Sequence, residues 1–270
     1  MTILLVNDDG YQAEGIRVLE EVLVSRGHEV WVCAPSSQRS ASSHSMTLSR
    51  DVVATLYGPD HWHLNGFPAD CILYALRGGL FPRTPDVVVS GINHGYNIST
   101  DILYSGTVGA ASEAALAGIP AFSLSCQGDG GLSRYPFKTA ADFLAEHLSQ
   151  FLPLATKHRI ININVPPHSD GKSWKVSGVS RLFYDDAVVK GGTETTRIFD
   201  HGQAKFGSSI LLRLQGGHVS QQDDEAESDF HRMEEGVIAV TALGVLPLVD
   251  GAGQESLRLL AANRKSADNT

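Results

Sequence analysis

Residues 3–10 read Ile3-Leu4-Leu5-Val6-Asn7-Asp8-Asp9-Gly10. Four consecutive apolar residues bounded by a turn signal predict a strand buried on both faces, as in a parallel sheet. Two adjacent carboxylates then stand at the carboxyl end of that strand, which is where open α/β sheets place their active sites. Neighbouring like charges repel, and their burial is strongly unfavourable unless a cation neutralises the pair. A divalent metal is the simplest such cation, so Asp8 and Asp9 are a candidate metal site.

The pattern continues outward from this run. Ile16, Leu19, Val22 and Leu23 recur at helical spacing with Gly27 at a C-cap position, which predicts a helix over 14–26 and a strand over 30–34 after it. Pro68 opens a helix over 69–77, and Val87-Val88-Val89 reads as a buried strand. Further on, 107–117 is helical, 121–125 a strand, 138–151 an amphipathic helix, and 160–165 a strand stopped by Pro166 and Pro167. His61, Trp62 and His63 alternate on a further strand and read as structural. Strands alternating with helices predict an α/β fold, a Rossmann-like doubly wound and mostly parallel sheet.

Beyond about residue 168 the texture changes, with glycine pairs at 191–192 and 216–217 and strand-like runs at 174–182 and 210–214. The expected organisation is therefore a catalytic core over 1–168 and a β-rich extension with a C-terminal tail over 169–270. That extension is expected to complete the core and form an interface in a homo-oligomer. The acidic stretch 221–235 reads as a solvated loop, and the residues after Ala262 as a frayed end.

The chain has 270 residues, 42% of them hydrophobic, enough for one large core or a core with an appendage. No apolar stretch approaches the roughly 20 residues of a membrane span, and Met1 runs directly into the first strand without a basic leader. A cytoplasmic location is expected. Cys33, Cys71 and Cys126 are widely spaced and odd in number, which argues against a disulfide framework or zinc site and for buried small hydrophobes. A formal net charge of -9 disfavours binding to nucleic acid polymers, while leaving room for one local site for a small anion.

Four polar clusters fall at the carboxyl ends of strands or in the loops after them: Asn7 to Gly10, Ser36 to Ser45, Ser90 to Asn97, and Tyr104 to Thr107. Each alone reads as a turn or loop, but a doubly wound sheet brings all four to one rim. Their carboxylates, hydroxyls and amide carbonyls are hard oxygen donors suited to Mg²⁺, Mn²⁺ or Ca²⁺. Ser105-Gly106-Thr107 opens a helix whose small early residues leave N–H groups and the positive dipole end accessible, a seat for phosphate. A metal beside a phosphate seat points to phosphoester hydrolysis.

The ordered set Asn7-Asp8-Asp9-Gly10, Arg39-Ser40, Gly66-Phe67-Pro68-Ala69-Asp70-Cys71, Ser90-Gly91-Ile92-Asn93 with Gly95 and Asn97, and Tyr104-Ser105-Gly106-Thr107-Val108 closely resembles the SurE family of stationary-phase survival proteins. The resemblance weakens after residue 168 and returns at Asp229-Phe230 and Glu235-Gly236. It implies a metal-dependent phosphatase acting on nucleoside 5′- and 3′-monophosphates, with short polyphosphate as a further substrate of some members. It also implies a Rossmann-like core whose extension is exchanged between subunits, giving a homodimer or homotetramer. Carried over by motif, Mn²⁺ or Mg²⁺ is held by Asp8, Asp9, Ser40 and Asn93, and Asn97, Ser105, Gly106 and Thr107 line the phosphate pocket. Three positions depart from the family pattern: Ala41 replaces a usual Gly, His44 a usual Asn and Ala69 a usual Thr.

His44 is a candidate to bind phosphate or protonate the leaving alcohol; the alternative is a solvated loop histidine. Arg39 reads either as a phosphate partner or as a structural counter-charge. The favoured chemistry is attack by metal-activated water, with Asp9 as base and Asp8 as nucleophile left open. Rival readings are a haloacid-dehalogenase-like phosphatase, whose aspartates are spaced DxD, a receiver-like signalling domain, and a nucleotide-binding regulator that does not hydrolyse.

Overall fold

The computed structural model describes residues 1–128, 136–200, 203–216, 219–222 and 227–246. Strand β1 (Thr2–Val6) is buried along its whole length. Successive strand side chains point to opposite faces, so Ile3 and Leu5 enter one core layer while Leu4 and Val6 enter the other. That division explains why the strand reads as an unbroken apolar run rather than an alternating one.

The chain continues through α1 (Glu14–Ser25), β2 (Glu29–Pro35), β3 (Ala54–Gly58), β4 (His61–Leu64), α2 (Pro68–Arg77) and β5 (Val87–His94). Next come α3 (Gly106–Leu116), β6 (Ala121–Cys126), α4 (Phe137–Phe151), β7 (Arg159–Val165), β8 (Trp174–Val176) and β9 (Leu182–Tyr184). The remainder is β10 (Ala187–Asp200), β11 (Gln203–Gln215), β12 (Val219–Gln222), α5 (Asp229–Glu234) and β13 (Ile238–Gly244). The main sheet runs β3-β4-β2-β1-β5-β6-β7-β13-β8. It is parallel from β4 to β7, β3 and β13 join antiparallel, and β8 pairs parallel with β13. Helices α1 and α4 pack on the face of Ile3 and Leu5, and α2 and α3 on the other. Because the chain moves outward from β1 to β2 and β4 and then returns to β5 on the other flank of β1, the strand order reverses there. The crevice beyond β1 and β5 is the topological switch point, where such sheets bind ligands.

β5 runs further than its Val-Val-Val signal. Gly91 takes φ +146, and a Cβ there would lie 2.2 Å from the carbonyl oxygen of Leu124. Glycine alone permits this approach, so the ladder with β6 continues through an irregularity between Ser90 and Asn93 and carries Asn93 to the rim.

β10 and β11 form a long antiparallel hairpin separate from the main sheet, and β9 pairs with β12. Within 221–235 a solvated loop was expected; instead β12 ends at Gln222 and α5 begins at Asp229, with 223–226 outside the described residues. Asp229 is fully buried. Its Oδ2 accepts from the Ser99 N–H (2.9 Å), and its Oδ1 from the Ser180 N–H (2.9 Å), the Ser180 hydroxyl (2.6 Å) and the Phe230 N–H (2.8 Å). The acidic composition misled because this carboxylate is met mainly by donors distant in sequence rather than by water. Asp229→Asn turns an acceptor-only group into one that must present N–H to these donors, so unfolding in urea is expected to show a loss of about 2–4 kcal/mol. The tail after Ala262 lies outside the described residues. Among the described residues no helix is long and apolar enough to cross a membrane, and the three cysteines are buried and free.

Candidate active site

The turn after β1 is built by Asn7, whose side-chain nitrogen donates to the Gly10 carbonyl (2.8 Å) while its oxygen accepts from the Gly10 N–H (3.2 Å). Gly10, at φ +101, makes the bend that a residue with a Cβ resists. Asp8 and Asp9 are thereby presented at the rim between the other three clusters. The Arg39 N–H donates to the Asp8 carbonyl at 2.6 Å, which ties in the loop that carries Ser40. The Thr107 hydroxyl donates to Asp8 Oδ1 at 2.6 Å, and the His94 N–H to Asp9 Oδ2 at 3.1 Å. Helix α3 sits hard against this point, since a Cβ on Gly106 would lie 2.5 Å from the Ser42 hydroxyl oxygen and 2.9 Å from Asp8 Cβ. Gly109 does the same one turn on, 2.6 Å from the Ser43 carbonyl.

Burial pushes the Asp8 carboxyl up to about 6, with the charge of Asp9 adding to the effect and the Thr107 hydrogen bond opposing it. Asp9 is also raised by burial, offset in part by His94. Among the described residues neither carboxylate forms an ion pair with Lys or Arg. The guanidinium of Arg39 points elsewhere, to the Asn65 carbonyl at 3.4 Å and over the Phe67 ring at 5.7 Å. The pair is thus a largely buried negative charge with no Lys or Arg partner among the described residues and only His94 to offset Asp9, a setting that favours a divalent ion. Among the described residues no group of three or more His, Cys, Asp or Glu is arranged for a metal. A cation here therefore needs neutral oxygens from Ser or Asn beside the two carboxylates.

Ser40 is exposed, and its hydroxyl oxygen accepts from the Gln38 amide at 2.9 Å. Asn93 stands at the end of β5 next to the residue that contacts Asp9, with its amide nitrogen donated to the Gly95 carbonyl at 2.9 Å. Ser105 is the N-cap of α3 and accepts from the Val108 N–H at 3.1 Å. Gly106 and Thr107 follow it in the first turn, where N–H groups have no intrahelical acceptor. The Thr107 N–H is also directed at the Asp8 carboxyl, so the Gly106 N–H is what this helix start offers to an anion. His44 lies along α3 with Nε2 2.9 Å from Glu113 Oε2, a partner the sequence reading did not foresee.

Asn97 is almost fully buried. Its amide donates to the Ser125 hydroxyl at 2.7 Å, its N–H to Asn164 Oδ1 at 2.7 Å, and its carbonyl accepts from Asn162 and Asn164 at 2.9 and 3.1 Å. Ser123 donates to Asn162 Oδ1 at 2.7 Å and extends this network beneath the site. The sequence reading missed Ser123, Ser125, Asn162 and Asn164. Their signal was the alternation Ile161-Asn162-Ile163-Asn164 in a buried strand, where two amides on one face require a polar partner.

With this geometry in view, the family model described as "Survival protein SurE" matches residues 3–186. A protein of Desulfitobacterium hafniense named "5'-nucleotidase SurE" is 38% identical over 246 residues, 90% of each chain. One of the same name from Synechocystis sp. is 42% identical over 175 residues, 62% of each chain. Among solved structures, the crystal structure of the SurE protein from Aquifex aeolicus superposes with a TM-score of 0.76 at 29% identity, covering 97% of this chain and 100% of that one.

Proposed function

Because this chain belongs to the SurE family, we propose that it is a 5′-nucleotidase that cleaves nucleoside 5′- and 3′-monophosphates to nucleoside and phosphate, using Mg²⁺ or Mn²⁺. The observation that carries this reading is the largely buried Asp8–Asp9 pair, without a Lys or Arg partner, against the N-terminus of α3. In it, Asp8, Asp9, Ser40 and Asn93 would hold the cation. When bound, the cation polarises a phosphoryl oxygen and acidifies a water. Thr107 fixes Asp8 in place through its hydroxyl and N–H, and the Gly106 N–H at the open helix start receives a phosphate oxygen. Ser105 keeps that helix end open by capping Val108, and Asn97 supports the pocket floor through Ser125. Water is the nucleophile in this reading, since Asp8 is buried with Oδ1 held by Thr107, an anchored carboxylate rather than an attacking one.

His44 reaches a phosphate only by leaving Glu113. A partly exposed pair of this kind contributes about 0–1 kcal/mol. His44→Ala is accordingly expected to keep kcat/KM within about threefold of the parent and to lose less than about 1 kcal/mol of stability. A larger fall in kcat with an altered acid limb of the pH profile would return the histidine to the chemistry.

The partners in this reading are nucleoside monophosphates and further copies of the chain. The β10–β11 hairpin exposes Val188, Ile210, Leu212 and Leu214, and an isolated two-stranded ribbon is marginal in water. Its exchange in a homodimer or homotetramer would cover that face, and sedimentation of the full chain tests it. Three buried free thiols agree with a reducing, cytoplasmic setting.

The test is phosphate release from nucleoside monophosphates, p-nitrophenyl phosphate and tripolyphosphate, with Mn²⁺ or Mg²⁺ and with EDTA. Metal-dependent release led by the nucleotides is the expected result. Stoichiometric nucleotide binding without release under any metal would instead identify a regulator.

A further inference from the structure

Ser42 lies in the loop after β2 and is only 8% exposed. Its carbonyl accepts from the Ser45 N–H at 3.2 Å, but its hydroxyl is buried and has no hydrogen-bond partner among the described residues. The loop is pinned around it. The Ser43 N–H donates to the Tyr104 carbonyl at 2.8 Å, and the Ser43 hydroxyl to the Leu103 carbonyl at 2.7 Å. These bonds hold the loop against the segment that leads into α3. The Ser42 hydroxyl oxygen lies 2.5 Å from the point where a Cβ on Gly106 would stand, and Asp8 Oδ2 lies 3.0 Å from the same point. The hydroxyl, the start of α3 and the Asp8 oxygen that the Thr107 hydroxyl does not hold therefore converge.

Burying a hydroxyl without a partner is unfavourable, and the few such groups that native proteins keep call for a reason. The neighbours decide which ligand supplies it. The positive end of the α3 dipole attracts anions, and because the Thr107 N–H is directed at Asp8, the Gly106 N–H is the donor left there. One N–H is a sparse seat for a phosphoryl group with several acceptor oxygens, and a hydroxyl adds a second donor. We propose that the Ser42 hydroxyl donates to the phosphoryl group of the substrate and forms with the Gly106 N–H a two-donor seat beside Asp8. The proposal rests on the nucleotidase reading above and makes Ser42 a substrate-binding residue of that site. The loop after β2 then has two duties two residues apart, Ser40 toward the cation and Ser42 toward the anion. Because the hydroxyl meets only the phosphoryl end, it acts alike on every phosphomonoester and does not select the nucleoside.

The experiment compares the full-length parent with Ser42→Ala. It measures calorimetric binding of inorganic phosphate to the Mn²⁺-loaded protein, binding of Mn²⁺ alone, kcat/KM for adenosine 5′-monophosphate and p-nitrophenyl phosphate, and urea unfolding in EDTA without phosphate. The variant loses one hydrogen bond to a charged acceptor, so phosphate binding is expected to weaken about tenfold to a hundredfold. The value of kcat/KM should fall by a similar factor for both substrates, while Mn²⁺ binding stays the same. Urea stability should be no lower than the parent's, because the hydroxyl removed has no protein partner to lose. Unchanged phosphate binding and kcat/KM in an active enzyme would overturn the proposal and leave the nucleotidase reading intact. A loss confined to Mn²⁺ binding, or a less stable variant, would overturn it too, assigning the hydroxyl to the cation or to the fold. A parent that releases no phosphate from any substrate would sink the nucleotidase reading, and phosphate binding then decides alone: weakening in the variant upholds the seat, and equal binding or none removes it.

Discussion

Asp8→Asn is expected to lower phosphate release from nucleoside monophosphates by about a thousandfold or more, because one of the two charges that hold the cation is gone. The same change should make the metal-free protein more stable than its parent at neutral pH. Burial lifts the Asp8 carboxyl from 3.8 to about 6, so the folded state binds a proton that the unfolded state has already released. Stability is then full below pH 3.8 and declines as pH rises toward about 6, by roughly 3 kcal/mol at the plateau. Asparagine keeps an oxygen for the Thr107 hydroxyl and carries no charge, so this decline is absent. Urea unfolding in EDTA at pH 4.5 and 7.5 measures it, and adding Mn²⁺ should then stabilise the parent but not the variant. A variant that is less stable than the parent at pH 7.5 in EDTA would contradict the electrostatic account of the pair.

Gly106→Ala should be nearly as damaging although it removes no functional group. In a free helix the exchange gains about 1 kcal/mol of propensity. Here the new Cβ would meet the Ser42 hydroxyl at 2.5 Å and Asp8 Cβ at 2.9 Å; the hydroxyl can rotate away, but Asp8 Cβ next to the main chain cannot. Relieving such overpacking costs about 1–3 kcal/mol, so the clash outweighs the propensity. The relief available is to move the start of α3 away from Asp8, which breaks the Thr107 contact and displaces the Gly106 N–H from the phosphate. Activity is expected to fall about a hundredfold, as displacements near 1 Å at a reacting centre do, with a net stability loss of up to about 2 kcal/mol. Steady-state kinetics and a urea melt check both, and wild-type turnover in the alanine variant would show that α3 does not press on the site.

Much of the main sheet was legible because its elements announce themselves locally. The helix expected over 14–26 is Glu14–Ser25, the one expected at 69–77 is Pro68–Arg77, and the strand expected at 160–165 is Arg159–Val165. Each has a periodic apolar pattern and a Gly or Pro marker, signals that depend only on neighbours in sequence. The segment around Asp229 failed for the opposite reason. Its carboxylate is satisfied by Ser99 and Ser180, which are 130 and 49 residues away in sequence, and no local pattern separates such a residue from a solvated one. His44 with Glu113, 69 residues apart, is the same kind of case.

The sequence by itself determined that β1 is buried on both faces, that two carboxylates leave its carboxyl end, and that α3 opens with small residues after a capping serine. These follow from residue type and spacing, which the chain carries before it folds. Only the tertiary structure decided that the Thr107 hydroxyl serves Asp8, that Arg39 offers its backbone rather than its guanidinium to the pair, and that Asn97 is held beneath the site by Asn162 and Asn164. Hydrogen bonds and burial are set by which groups the packed sheet brings within about 3 Å. That proximity is a property of the whole fold, and so is the raised carboxyl of Asp8.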